Sequence, residues 1–451
     1  MDCFFKIKQQ YQNKRVLILG LGLQGGGITA VNFFSKIGSK IRVSDLKSKA
    51  QLKNSLKTLS AYPNLEFEFE KHSRKFIKWA EVIVRNPGVN LNSPALKLAR
   101  KLNKEIILAS AFFLKNCQVK TVGITGTRGK STTTNLIYSI LKNNLNNPIH
   151  LAGNLPQHSP FKLIEQIKSN DLAIMELSSW ELQGFRDNGV APNIAVLTNI
   201  YPDHLNYYDN MDDYIDDKMQ ILANQKNNDW FVTLESTYQQ YQKQINNYLK
   251  AKLILVKPDY FKERPKYLLG THNLENCSLA FKVGQLLKIN DQQIIQAIIN
   301  FPGLEFRLQK LGTIKQSLFF NDSTSTTPIA GIKAINTLKQ NFNNKNIIFI
   351  CGGKDKNLPF QDWLKIVENN CKQVFLLPGS FSDLVESKIK PKLTKVKDLE
   401  TLFTKLIPLL NEQNIILFSP SATSFATFNN EFDRGEQFNK QFQINLTRYG
   451  A

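Results

Sequence analysis

Short apolar, β-branched runs recur along this chain of 451 residues, and each breaks off at glycine or at a polar residue. "RVLILGLG" (15–22) leads into the helix-like "GITAVNFFSKIG" (27–38), "KIRVSD" (40–45) closes on an aspartate, "AEVIVRNPGV" (80–89) runs into a Pro-Gly turn, and "KEIILAS" (104–110) ends a first series. A second series comprises "QVKTVGITG" (118–126), "DLAIMELSS" (171–179), "NIAVLTNI" (193–200) and "DWFVTLE" (229–235). After a linker-like "FPGLEFR" (301–307) comes a third: "SLFFNDS" (317–323), "NIIFICGG" (346–353), "KQVFLLPG" (372–379) and "NIILFSP" (414–420). Strands that alternate with helices make crossover connections, so each series predicts a parallel α/β sheet. The chain is too long for one core, and the expected domains are 1–116, 117–302 and 303–451. In open parallel sheets ligands bind beyond the carboxyl ends of the strands, where these runs carry their small and polar residues.

Composition narrows the class. With 42% hydrophobic residues, 30 Phe and 21% charged residues, the chain buries sizeable cores and is not a disordered protein. No run of 18 apolar residues occurs, and "MDCFFKIKQQYQNKR" lacks a signal-peptide core, so no membrane insertion and a cytoplasmic location are expected. Cys3, Cys117, Cys277, Cys351 and Cys371 are widely spaced and form no C-x-x-C pair, which argues against a disulfide framework or a zinc site. The net charge of +21 fits nucleic acid or an anionic small substrate. The lysines are scattered, however, without a block of five basic residues, so small anions are expected and nucleic acid is not. A monomer is expected.

"GITGTRGKSTTT" (123–134) sits between a strand and a helix, the setting of a phosphate loop. Backbone N–H groups and the helix N-terminus there would meet phosphate oxygens. Lys130 would reach the β- and γ-phosphates, and Ser131 or Thr132 would offer a hydroxyl to Mg²⁺. The strict pattern wants glycine five positions before Gly129, but that position is Ile124, and the glycines are Gly123 and Gly126. Glu176 ends an apolar run, where a carboxylate is costly unless paired or bound to metal. Asp203 and His204 lie in "TNIYPDHLNYYDNMDDYIDDK" (198–218). Read alone, Lys218 is an ordinary helix-surface lysine, and His72 and His158 are structural or solvated. Near the N-terminus, Gly20, Gly22 and Gly25 form G-x-G-x-x-G, and Asp45 follows at the end of the second strand. That is a dinucleotide fingerprint, and an NAD-dependent dehydrogenase stands as an alternative. It leaves 123–134 unexplained.

Gly123 to Thr132, read as G-x-T-G-T-x-G-K-[ST]-T, resembles the ATP loop of the Mur ligases and folylpolyglutamate synthases. "ELSSW" (176–180), "TNIYPDHL" (198–205), "GTHNLENCSLA" (270–280), "LAGNLP" (151–156), "CGGKDK" (351–356) and "SPSATSFATF" (419–428) extend the resemblance over essentially the whole chain. It implies a Rossmann-like N-terminal domain, a central P-loop ATPase-like domain and a C-terminal Rossmann-like domain. It further implies that Gly126, Thr127, Gly129, Lys130, Ser131 and Thr132 hold ATP. Asn276 would hold the adenine, with His272 and Asn273 shaping its turn, and Arg307 and Asp322 would close over the nucleotide. Glu176 with Ser131 would bind one Mg²⁺. His204 would bind a second, positioned by a carbamylated Lys218. Lys130, Glu176, His204 and Lys218 would thus carry the chemistry.

In the first domain the three glycines would accept the pyrophosphate of a UDP-sugar, with Asp45 near the uracil and "NPGV" (86–89) beside the nucleotide. Gly153 and Asn154 match a phosphate-binding Gly-Asn pair. Lys356 and Ser424 would contact the incoming amino acid. In this family ATP phosphorylates a carboxylate, and an amine then displaces the phosphate to form an amide. The first-domain form resembles the branch that adds D-glutamate to UDP-N-acetylmuramoyl-L-alanine during peptidoglycan precursor synthesis. A different amino acid, or a non-catalytic relative, are the other outcomes. Four positions depart from the pattern: Glu305 and Phe306 replace proline and histidine, Thr324 a lysine and Ala426 an aspartate. The tail is altered to "NNEFDRG" (429–435), and Phe428 just before it or Phe432 within it is left to supply the expected aromatic.

Overall fold

The computed structural model describes residues 3–23, 25–155, 157–203, 207–263, 265, 267–270, 272–424 and 427–450. Three sheets form among them. The first contains β1 (Arg15–Leu19), β2 (Lys40–Asp45), β3 (Glu66–Phe69), β4 (Val82–Arg85) and β5 (Glu105–Ile107), all parallel in the order β3-β2-β1-β4-β5. The second contains β6 (Lys120–Thr125), β7 (Ile149–Gly153), β8 (Leu172–Glu176), β9 (Ile194–Leu197), β10 (Trp230–Leu234) and β11 (Lys252–Val256), parallel in the order β11-β10-β9-β6-β8-β7. The third contains β12 (Gln309–Ile314), β13 (Ser317–Asn321), β14 (Asn346–Cys351), β15 (Cys371–Leu376), β16 (Lys392–Lys395) and β17 (Asn414–Phe418), in the order β12-β13-β17-β14-β15-β16. Helices cover both faces of a parallel sheet, so central strands such as β8 ("LAIME") are buried along their whole length.

The expected α/β class and parallel sheets are present, with one exception: β12 runs antiparallel to β13. The two-residue turn between them is Lys315-Gln316, at φ 45° and 63°. Paired positive φ values suit a tight hairpin, which glycine or asparagine normally supplies. Five strands, β3, β7, β11, β12 and β16, were not expected from the sequence, and each is at a sheet edge. β3 reads "EFEF" with one buried residue, and β16 reads "KLTK" with none. An edge strand is half solvated and loses the continuous apolar run that marks a buried one.

The described chain divides into two compact units, Met1–Glu263 with His272–Ile298 and Arg264–Thr271 with Ile299–Ala451. The first unit holds the first two sheets. They share a core in which Phe33 and Phe34 meet Phe112 and Phe161, with Phe33 and Phe161 ring centres 5.2 Å apart. Each such buried ring contributes about 1.5–3 kcal/mol by its removal from water. Among the described residues no helix is long and apolar enough to cross a membrane. All five cysteines are free thiols, and four of them are buried.

Candidate active site

The shifted glycine is explained by the strand. Ile124 is still inside β6, paired with Glu176 of β8 and Val196 of β9, and is fully buried. Gly123 is needed one residue earlier, because a Cβ there would lie 2.8 Å from Pro192 Cγ. The loop proper is therefore Gly126 to Gly129, ahead of the helix Lys130–Lys142. Gly126 has φ 144°, and a Cβ on it would fall 2.0 Å from Thr198 Oγ1. Gly129 has φ 83°, and its Cβ would fall 2.3 Å from Asn276 Oδ1. Neither position admits a side chain without displacing its neighbour.

Residues after β9 brace this loop. Thr127 N donates to Asn199 O at 2.8 Å, and Arg128 N donates to Asn199 Oδ1 at 2.9 Å. Thr198 Oγ1 donates to Arg128 O at 2.6 Å, and Thr127 Oγ1 lies 3.0 Å from the Tyr214 hydroxyl. Thr198 and Asn199 stand in a stretch already quoted for its resemblance, but Thr198, Asn199 and Tyr214 drew no role from sequence. Asn276, expected at the adenine, is buried. It accepts from Thr133 Oγ1 at 3.3 Å and donates to Asn273 Oδ1 at 3.0 Å.

Two lysines aim into the loop. Lys130 Nζ donates to Gly126 O at 3.0 Å and to Thr127 O at 3.1 Å, and Lys218 Nζ donates to Gly126 O at 2.9 Å. Lys218 is not a surface residue: on the helix Met211–Met219 it is only 2% exposed. Burial, with the Lys130 ammonium beside it, holds Lys218 well below the ordinary lysine range, against a weaker pull from Asp203 and Asp217. It is thus a buried amine whose charged form is disfavoured, beside the candidate phosphate loop.

Glu176 closes β8, is 3% exposed, and accepts from Asn154 Nδ2 at 3.2 Å through one oxygen. Its other oxygen, Oε2, is buried and meets no hydrogen-bond donor among the described residues. A buried orphan carboxylate oxygen is costly in protein alone, and it suits a hard cation that also takes water and phosphate oxygens. No group of three or more His, Cys, Asp or Glu side chains gathers as a metal cluster among the described residues. That is compatible with Mg²⁺, which takes few protein ligands. His204 lies outside the described residues.

The first sheet changes strand order between β1 and β4. Gly20, Gly22 and Gly25 follow β1 at φ 88°, 68° and 86°. Asp45 ends β2, is buried, and accepts from Gly22 N at 2.9 Å and from Lys47 N at 2.8 Å. Asn154 is exposed, and its backbone N–H donates to Glu176 O at 2.8 Å, so it joins the Glu176 surroundings.

In the second unit, Lys354 and Thr423 form an isolated antiparallel bridge that brings the loops of Lys356 and Ser424 side by side. Lys356 is exposed, with Nζ 3.3 Å from Thr326 Oγ1, and the hydroxyl of Ser424 is buried without a hydrogen-bond partner among the described residues. Asp322 accepts from Ser419 Oγ at 2.8 Å and from Leu308 N at 3.0 Å. Burial pushes its carboxyl up to about 7, against those hydrogen bonds and the Arg307 and Arg434 charges. Arg307 is exposed. Two of the sequence departures meet here: Phe306 lies against Gly435, where a Cβ would be 2.4 Å from Phe306 Cδ1, and its ring centre is 6.4 Å from that of Phe432. Phe428 packs at the edge of a separate apolar cluster.

A braced glycine loop, a buried amine and an orphan carboxylate at the strand ends of one parallel sheet, in a chain with another sheet of Rossmann order, mark a candidate nucleotide-phosphate site in a multidomain α/β protein. The family described as Mur ligase middle domain matches residues 124–258, and that described as Mur ligase MurD-like, N-terminal domain matches residues 14–108. The chain is 33% identical to a UDP-N-acetylmuramoylalanine–D-glutamate ligase of Borreliella afzelii, over 96% of this chain and 98% of that protein. It is 30% identical to the protein of that name from Staphylococcus saprophyticus, over 97% and 98%. Its fold is similar to that of a UDP-N-acetylmuramate–alanine ligase from Thermotoga maritima, with a TM-score of 0.59 at 18% identity, over 96% of this chain and 99% of that one. A MurF ligase from the same organism, solved in complex with ADP, gives a TM-score of 0.57 at 18% identity, over 90% and 95%. The chain belongs to the Mur ligase family.

Proposed function

We propose that this chain is an ATP-dependent amide ligase that joins D-glutamate to UDP-N-acetylmuramoyl-L-alanine in peptidoglycan precursor synthesis, acting as a cytoplasmic monomer. The similarity to UDP-N-acetylmuramoylalanine–D-glutamate ligases supports the substrates. The observation that carries the chemistry is the convergence of Lys130 and Lys218 on the Gly126 carbonyl, close to the loop that would take the phosphates. We assign nucleotide-sugar binding to 1–116, with Gly20, Gly22, Gly25 and Asp45, joined by Asn154 of the next domain, and ATP to 117–302, with Gly126, Thr127, Gly129, Lys130, Ser131 and Thr132. We assign the amino acid to 303–451, with Lys356 and Ser424.

Burial favours the uncharged form of Lys218, whose lone pair would add to CO₂; one N–H proton is lost and a carbamate forms. That carbamate, Ser131, Glu176 and His204 would hold Mg²⁺, which when bound offsets the charge of the transferring phosphate. The substrate carboxylate attacks the γ-phosphorus, ADP leaves, and an acyl phosphate results. The D-glutamate nitrogen then attacks the acyl carbon, expels phosphate and loses a proton. Lys130, freed from its loop carbonyls, steadies the phosphate oxygens, and the loop N–H groups fix the geometry. The dehydrogenase alternative rests on the first-sheet glycines alone. Titration of the purified protein with a UDP-sugar and with NAD separates the two: saturable UDP-sugar binding is expected, and tight NAD binding would reverse the assignment.

A further inference from the structure

Arg85, the last residue of β4, is 2% exposed, and no carboxylate lies within ion-pair distance of it among the described residues. Its Nε donates to Val89 O at 2.9 Å, and Nη2 donates to Gln183 Oε1 at 2.5 Å and to the Tyr207 hydroxyl at 3.1 Å. Gln183 passes the interaction on, its Nε2 donating to Asp217 Oδ2 at 2.6 Å while Gln220 Nε2 donates to Oδ1 at 3.1 Å. Asp217 is buried and immediately precedes Lys218. A neutral amide thus sits between a buried cation and a buried carboxylate and satisfies both. On the other side, Arg85 adjoins the turn whose Asn86 and Val89 pack on the Gly20 loop, where a Cβ at Gly20 would lie 2.9 Å from each. The relay therefore runs from the strand ends of the first sheet to the helix that carries Lys218.

We propose that Arg85, acting through Gln183 and Asp217, is the positioning residue for Lys218. This rests on the ligase reading. A residue that orients a ligating group from behind has an outsized effect on that group, about 10- to 100-fold in affinity or activity. A helix turned slightly about its axis would draw the Lys218 nitrogen off Gly126, and the relay holds it there.

The test uses the full-length protein with ¹³C-bicarbonate, reading the carbamate resonance by NMR alongside steady-state phosphate release. Wild type is expected to show a carbamate signal that is lost in Lys218→Ala. In Arg85→Met, half-loading should need about tenfold more bicarbonate and kcat should fall about tenfold or more, with KM for ATP nearly unchanged. Arg85→Lys should recover part of both. A folded Arg85→Met with wild-type loading and kcat would overturn the proposal. If Arg85→Met does not fold, Arg85→Met/Gln183→Met replaces both partners with apolar chains and is read the same way. If neither folds, a folded Arg85→Lys with normal loading and kcat would overturn it, and a partial loss would support it. A wild type with neither carbamate nor phosphate release would sink the ligase reading instead.

Discussion

Lys130 and Lys218 place their side-chain nitrogens on a single oxygen, the carbonyl of Gly126, at 3.0 and 2.9 Å. Two ammonium groups sharing one acceptor repel strongly in a dry site. Burial eases the conflict by disfavouring the charged form of Lys218, whereas Lys130 is partly exposed. In the proposed reaction Lys130 would meet phosphate and Lys218 would add to CO₂.

Lys218→Ala should therefore abolish amide formation while leaving the fold intact. Short-chain carboxylic acids should restore part of the activity by supplying the missing carboxylate. Turnover near wild type without any acid would remove carbamylation from the account.

Lys218 also sets a pH dependence of stability. Its folded pKa lies below the unfolded value of about 10.4, so between the two only the unfolded chain holds the proton. Stability from this site is complete above the unfolded pKa and is lost as pH falls toward the folded one, by about 1.4 kcal/mol per unit. In bicarbonate-free buffer, Lys218→Met should be most favoured over wild type near pH 7, and its advantage should shrink toward pH 10. Urea midpoints across that range measure it, and a constant difference would contradict the burial argument.

Gly126→Ala and Gly129→Ala should each cost about 1–3 kcal/mol or more, since both combine positive φ with a steric clash. Denaturant midpoints and ATP binding should fall together. Relief of the Gly129→Ala defect by Asn276→Ala would identify the Asn276 amide as the obstacle, whereas no relief would leave φ as the cause.

Phe306 and Gly435 should be coupled. Gly435→Ala drives a methyl into the Phe306 ring and should destabilise by about 1–3 kcal/mol. In the background of Phe306→Ala the same change should cost much less, a departure from additivity of about 0.5–3 kcal/mol. Additive costs would mean that the linker residue and the tail are independent.

The fold was legible where strands are buried on both faces. β1, β6, β8, β9, β14 and β17 carry mostly buried, largely apolar runs and lead into the candidate-site residues. The edge strands escaped because solvent on one side lets charge enter, as in "EFEF" and "KLTK". The β12–β13 hairpin escaped because Lys315 and Gln316 take left-handed angles without glycine. At the site, residue type and spacing exposed the loop and Glu176. They could not expose the burial of Lys218, since "YIDDKMQIL" reads as a charged surface, nor the Arg85–Gln183–Asp217 relay, whose members are far apart in sequence.

The most direct measurement is phosphate release by the purified full-length chain with ATP and UDP-N-acetylmuramoyl-L-alanine, screened against both enantiomers of each amino acid. Release should require an amino acid, be highest with D-glutamate, and vanish in Lys130→Ala. Equal release without any amino acid, or Lys130→Ala turnover near wild type, would contradict the account.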